Sequence, residues 1–264
     1  MKAIWNIALL LTMAAATACG NRQTTTTVTF EKAKASKQVQ LSGGQEAPTC
    51  TVELNVDYAT DGNNAETAKA INDAIQLNLF NMKGLSMQQA VDSFASQYTH
   101  DYLRDLKPLY EQDSDDELKR AWYEYNYSID TQTLEGWNGD VVVYLITQDY
   151  YEGGAHGISQ QLTMNFDKLS GRQLQLKDVF VPGYEARLTE LLLKKLMQHV
   201  DVSTMEELRD KGYLFSMDMF PTENFMLGED HITFIYNVYE IAAYAMGSTE
   251  LEVEYDEVED LMKK

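Results

Sequence analysis

The four histidines, His100, His156, His199 and His231, are the side chains best suited to move a proton near neutral pH. No two stand in the H-x-x-x-H spacing that places a metal-binding pair on one helix face. His156 has the most suggestive setting, Gly153-Gly154-Ala155-His156-Gly157, where glycines let the chain turn and an imidazole could act as general acid or base. No G-x-S-x-G element supplies a nucleophile to go with it. The favoured reading is therefore a glycine-enabled turn or bulge in which His156 bonds backbone, and no catalytic residue, metal or cofactor is expected. A glycosidase needs two carboxylates about 5–10 Å apart across a sugar. With 41 acidic residues the sequence singles out no such pair, and a solvated surface is the default reading. Trp122, Trp137, Tyr150, Tyr151, Tyr239 and Tyr244 are of the type that stacks on sugars or anchors a protein partner. At strand positions such rings more often serve the core. Tyr150 and Tyr151 are adjacent, so on a strand they face opposite ways.

The same 41 acids stand against 21 Lys and Arg, for a formal net charge of −20 in 264 residues. That balance disfavours nucleic acid, whose phosphates demand basic side chains, and disfavours direct docking on anionic lipid. With 44% hydrophobic and 23% charged residues the composition is globular, and the length suffices for one large core or two smaller ones. The two cysteines, Cys19 and Cys50, are too few for a disulfide scaffold. Cys50 alternates with Val52, Leu54, Val56 and Tyr58, so it is expected in the core as a small hydrophobe.

The positioning elements follow from periodicity. Residues 1–18, with Lys2, an apolar run from Ile4 to Met13 and small residues up to Ala18, have the pattern of a signal peptide. The small residues ending in Cys19 resemble a bacterial lipobox, which implies lipid attachment at Cys19, with residues 19–27 as a lipidated tether. Outer-membrane attachment facing the periplasm follows by the same resemblance, with the Cys19 lipid as the only link to membrane. Alternation marks a strand over 50–58, and Ala68, Ile71, Ile75 and Leu79 mark a helix. Ser86 with Gln89 forms a capping-box pattern that opens a second helix, expected to close at Pro108. Beyond an acidic connection over 111–117, strands are expected near 123–129, 141–147 and 162–166, a short helix over 176–180, a long helix through Leu188 and Leu196, and strands around 231–237 and 249–255. Strands that run together without regularly intervening helices indicate α+β: antiparallel sheets with helices packed on one face, in two intimately linked sub-domains, 28–150 and 151–264.

Three short elements carry a resemblance. They are Tyr150-Tyr151-Glu152-Gly153-Gly154-Ala155-His156-Gly157, the Asn165-to-Phe180 stretch containing Phe166-Asp167-Lys168-Leu169-Ser170-Gly171, and Tyr239-Glu240-Ile241-Ala242-Ala243-Tyr244-Ala245-Met246-Gly247. In this order they resemble the RsiV-like family, whose domains form the exported half of certain anti-sigma factors and the N-terminal part of PdaC-type peptidoglycan deacetylases. The resemblance implies an exported binding module, and in an anti-sigma member that module binds lysozyme. With a signal peptide and lipobox at the N-terminus, an anti-sigma role is not expected. With no deacetylase domain after residue 264, the binding part alone is expected. The expected function is a lipid-anchored, non-enzymatic envelope module for lysozyme, another basic envelope protein or peptidoglycan, with a cell-wall glycan hydrolase or deacetylase-associated enzyme as the alternative. The candidate contact residues are Tyr150, Tyr151, Glu152 and His156. Replacing the attachment cysteine, Cys19→Ala, is expected to abolish fatty-acid labelling and leave unprocessed precursor. Unchanged migration and membrane retention would refute the anchor.

Overall fold

The computed structural model describes residues 28–44, 46–60, 64–113 and 120–263. The signal peptide over 1–18, Cys19 and its tether, turn residues 61–63 and the acidic residues 114–117 lie outside the described residues.

The chain opens with β1 (Thr29–Gln40) and β2 (Thr49–Thr60), antiparallel along their whole length. Cys50, Val52, Leu54 and Val56 of β2 point inward and are fully buried, as their alternation requires. Helix α1 (Ala65–Phe80) starts at Asn64, whose side chain accepts from the backbone N–H groups of Glu66 and Thr67. Helix α2 (Met87–Asp113) has the anticipated capping box, with Ser86 and Gln89 each accepting from the other's backbone N–H. It does not stop at Pro108 but runs one further turn. Proline removes one backbone donor there, yet the turn is near the helix end and largely exposed, so water can take the orphaned carbonyl. Tyr110, beyond the proline, packs edge-on against Tyr123 at 5.4 Å and retains that turn.

Strands β3 (Tyr125–Glu135), β4 (Val141–Glu152), β5 (Ile158–Asp167) and β6 (Gln173–Leu174) complete a six-stranded sheet in the order β1-β2-β3-β4-β5-β6. One pairing corrects the expectation of antiparallel sheets. β2 and β3 are parallel, because α1 and α2 form a crossover that returns the chain to the end at which β2 began. The expected hairpin turn at 136–140 joins β3 to β4. The Ser170-Gly171 turn packs on α1: Gly171 has φ +70°, and a Cβ there would fall 2.4 Å from the Thr67 carbonyl oxygen.

The remaining chain forms α3 (Leu176–Val179), α4 (Glu185–Val200) and α5 (Met205–Asp210), then a three-stranded antiparallel sheet of β7 (Phe225–Leu227), β8 (His231–Tyr236) and β9 (Thr249–Glu254). The short α5 was not anticipated, although Thr204 and Glu207 form a capping box at its start. The fold is α+β, with two cores separated by β4. Val142, Tyr144 and Ile146 pack with α1 and α2, while Val141 and Val143 pack with α4 and the small sheet. Residue 150 lies inside β4, and β5 and β6 continue the same sheet beyond it.

The two sheets are joined by asparagines. Asn165 of β5 donates to the Phe225 carbonyl and accepts from the Leu227 N–H. Asn224 accepts from the Thr163 N–H and donates to the carbonyls of Gln161 and Ile235. Asn237 accepts from the Gln161 N–H and donates to its carbonyl.

Burial, and secondarily the Glu152 charge, pushes the Cys50 thiol up to about 12, so the nucleophilic thiolate is scarce at neutral pH. Cys50 should therefore resist thiol reagents until the protein unfolds, and Cys50→Ala should lower stability by about 1 kcal/mol. Rapid labelling of the native protein would refute this placement.

Candidate functional site

The end of β4 sorts the expected contact residues by strand alternation. Tyr150 and Glu152 turn toward α2. Tyr150 stacks on Tyr127 at 6.2 Å, and Glu152 accepts a 2.6 Å hydrogen bond from the Tyr98 hydroxyl. Burial, then this bond to Glu152, raises the Tyr98 phenol well above its ordinary value, so it stays a donor. Asp149 and Tyr151 face the other side and line a cleft with Asn126, Ser159 and Tyr244. Of the expected contact residues on the strand, Tyr150 and Glu152 thus lie on one face and Tyr151 on the other.

The loop after β4 turns at Gly153, where φ is +83° and a Cβ would sit 2.6 Å from the Trp122 carbonyl oxygen. The Tyr151 hydroxyl donates to the Gly154 carbonyl at 2.9 Å and closes the loop. This aims His156 at the segment following β8. Its ring lies flat on Tyr244, with centroids 3.7 Å apart and planes 16° from parallel, and Tyr239 stands beside the pair, 6.5 Å from His156 and 5.6 Å from Tyr244. His156 Nδ1 meets the Gly157 carbonyl at 3.1 Å and Nε2 meets the Tyr239 hydroxyl at 3.3 Å. A carbonyl only accepts, so in the neutral ring Nδ1 carries the proton and Nε2 accepts from Tyr239. The Tyr244 hydroxyl donates to the same Gly157 carbonyl at 2.8 Å. Tyr239 is 58% exposed and sits at φ +70°, a left-handed conformation unusual for an aromatic residue. The turn holding it is closed by Glu240, which accepts from the Asn237 N–H; burial raises the Glu240 carboxyl above its ordinary range. The arrangement is a stacked pair, exposed His156 on half-buried Tyr244, with exposed Tyr239 tilted at its side, both imidazole nitrogens engaged and open clefts on either side of Tyr244.

Of the other aromatic candidates, Trp137 stacks on Tyr255 at 5.6 Å, away from this stack, and Trp122 is 59% exposed on the segment that abuts Gly153. Among the described residues no group of three His, Cys, Asp or Glu side chains is arranged to hold a metal ion. The polar residues beside the stack, Asn126, Asp149, Ser159 and Gln161, were not singled out from the sequence. Each occupies the outward position of an alternating strand, but only the strand register shows that they adjoin.

This combination of sheet, crossover helices and docked second sheet defines a known class of domain. Residues 177–256 match the model of the family described as "Protein of unknown function (DUF3298)". A solved member of that family from Bacteroides fragilis NCTC 9343 is 33% identical, with a TM-score of 0.84 over 91% of this chain and 95% of that one. The chain belongs to the DUF3298 family. A second DUF3298 structure, from Pseudomonas aeruginosa PAO1, shares the fold at 17% identity, with a TM-score of 0.60 over 90% of this chain and 95% of that one. The peptidoglycan-N-acetylmuramic acid deacetylase PdaC of Bacillus subtilis (strain 168) is 24% identical over 213 residues, which are 80% of this chain and 42% of that protein. The chain therefore spans less than half the length of this curated relative.

Asn237 fastens the segment bearing Tyr239 and Tyr244 to β5 and is only 3% exposed. Asn237→Ala leaves the Gln161 N–H and carbonyl without that partner, and should lower stability by about 1–3 kcal/mol in urea unfolding. An unchanged midpoint would show that the amide does not hold the segment.

Proposed function

We propose that this protein is a non-catalytic binding module of the bacterial cell envelope that holds peptidoglycan glycan on the aromatic cluster of His156, Tyr244 and Tyr239. The observation that carries this reading is the aromatic cluster itself, with His156 and Tyr239 exposed and clefts lined with hydrogen-bonding side chains beside it. Sugar rings present an apolar C–H face that packs on aromatic rings and hydroxyls that bond neighbouring polar groups. The name of the PdaC relative points to the same polymer, since that protein acts on peptidoglycan N-acetylmuramic acid. The sequence pattern at residues 1–18 and Cys19 supports export and a lipid anchor, with the domain facing the periplasm from the outer membrane. Engagement of both His156 nitrogens by a carbonyl and a phenol supports binding over general acid–base catalysis.

A second reading, a basic envelope protein such as lysozyme as partner, is favoured by one observation, the net charge of −20. A field of that sign draws cationic proteins, and association should then slow as salt screens it.

Sedimentation with purified sacculi tests the first reading. The full protein should cosediment, and Tyr239→Ala should weaken binding roughly three- to tenfold, the loss of one aromatic contact. No cosedimentation, together with salt-sensitive heat on titration with lysozyme, would overturn the glycan reading in favour of the second.

A further inference from the structure

The open face of the six-stranded sheet changes character along each strand. On β4 the residues of this face run Val141, Val143, Leu145, Thr147, Asp149 and Tyr151. The first two are buried in the second core, and Thr147 and Asp149 are exposed. On β5, Asn165 and Thr163 lie buried under the small sheet, while Gln161 and Ser159 emerge. Strand pairing sets Asp130, Thr147 and Gln161 in one row and Ser128, Asp149 and Ser159 in the next. Five of these six residues are exposed and Ser128 is half-buried; among the described residues their side chains make no hydrogen bond or ion pair.

The segment from Asn237 to Ser248 rises beside this floor as a wall. Three clefts of about 280, 410 and 400 Å³ lie along this floor, the second and third of them against the wall. Gln161 lines both the first and the second; Ser159 and Tyr244 line both the second and the third. The clefts are therefore one groove. It runs from Gln132 and Thr163 at one end to Tyr151 and Gly157, beneath the aromatic stack, at the other. Along β5 and the residue before it the groove extends from Gly157 to Thr163, which at ~3.4 Å per residue is about 20 Å, or about four pyranose units.

We infer that this groove takes an extended, hydroxyl-rich glycan strand of about four sugars, with the aromatic stack as its terminal subsite. The inference rests on the glycan reading above and adds the path and length of the ligand. Three features select this chemistry. β3 and β4 are interior strands, and on the outer edge of β5 the Asn237 and Asn224 amides already take the backbone groups of Gln161 and the Thr163 N–H, so a peptide is blocked from adding a strand there. Asp130 and Asp149 repel phosphate-bearing polymers. Alternating hydroxyls, amides and carboxylates match a ligand that offers both donors and acceptors along its length.

Calorimetry of the full protein with N-acetylglucosamine oligomers, from dimer to hexamer, tests the groove. Affinity should rise roughly tenfold from dimer to tetramer and then level off. Thr147→Arg, a bulky change at an exposed floor position, should abolish that gain and leave dimer binding intact. Gln161→Ala should reduce the gain by a smaller factor. Tyr239→Ala should weaken every length alike. Equal affinity at all lengths, or an unaffected tetramer in Thr147→Arg, overturns the groove while leaving the glycan reading in place if sacculi still sediment the protein. No binding of any oligomer overturns the groove, and with no sedimentation it overturns both.

Discussion

The free edge of β5 is the constraint on which the second half of the molecule depends. β5 pairs with β4 along its length, but β6 covers its other edge only at Asn165 and Phe166. The uncovered backbone groups would template aggregation or stay unsatisfied. Instead the side-chain amides of Asn224 and Asn237 take the N–H groups of Thr163 and Gln161 and the Gln161 carbonyl. An amide offers one acceptor and two donors and so substitutes for a strand's peptide group. Because these amides belong to residues flanking β7 and β8, closing the edge also fixes where the small sheet stands. The aromatic segment at 239–246 is carried with it.

Strand β4 is the second shared part. Its first residues are apolar on both sides because both sides are covered, by α1 and α2 on one and by α4 and the small sheet on the other. Its last residues are covered on one side only, and there Thr147 and Asp149 replace valine. The groove begins where the second core ends, so packing and binding surface are two stretches of one face. Hydrophobic burial needs contiguous area, and the polar remainder of the strand is what that area leaves over.

Charge acts at a longer range than either. The acids are spread over many elements: Glu250, Glu252 and Glu254 alternate outward on β9, while Asp130 and Asp149 face the groove. Such a distribution gives the whole molecule an anionic field and marks no single contact.

Much of the fold was legible in the chain. Strict alternation in β2 placed Cys50 in the core, three- and four-residue spacing placed α1 and α4, and Ser86 with Gln89 marked the start of α2. These are local patterns, set by residues within one or two turns or one strand. The glycine loop before His156 and the aromatic run from Tyr239 to Tyr244 were also visible as separate candidates. Their contact was not, because His156 and Tyr244 lie 88 positions apart and meet only after the asparagine amides dock one sheet on the other. The parallel pairing of β2 with β3, the turn of α2 beyond Pro108 and the separation of Tyr151 from Glu152 were likewise decided by what packs against what. Sequence by itself determined which residues seek the interior and which can turn the chain. Tertiary structure decided which polar residues share a surface, because strand register and sheet docking arise from long-range burial and hydrogen bonding that no local spacing encodes.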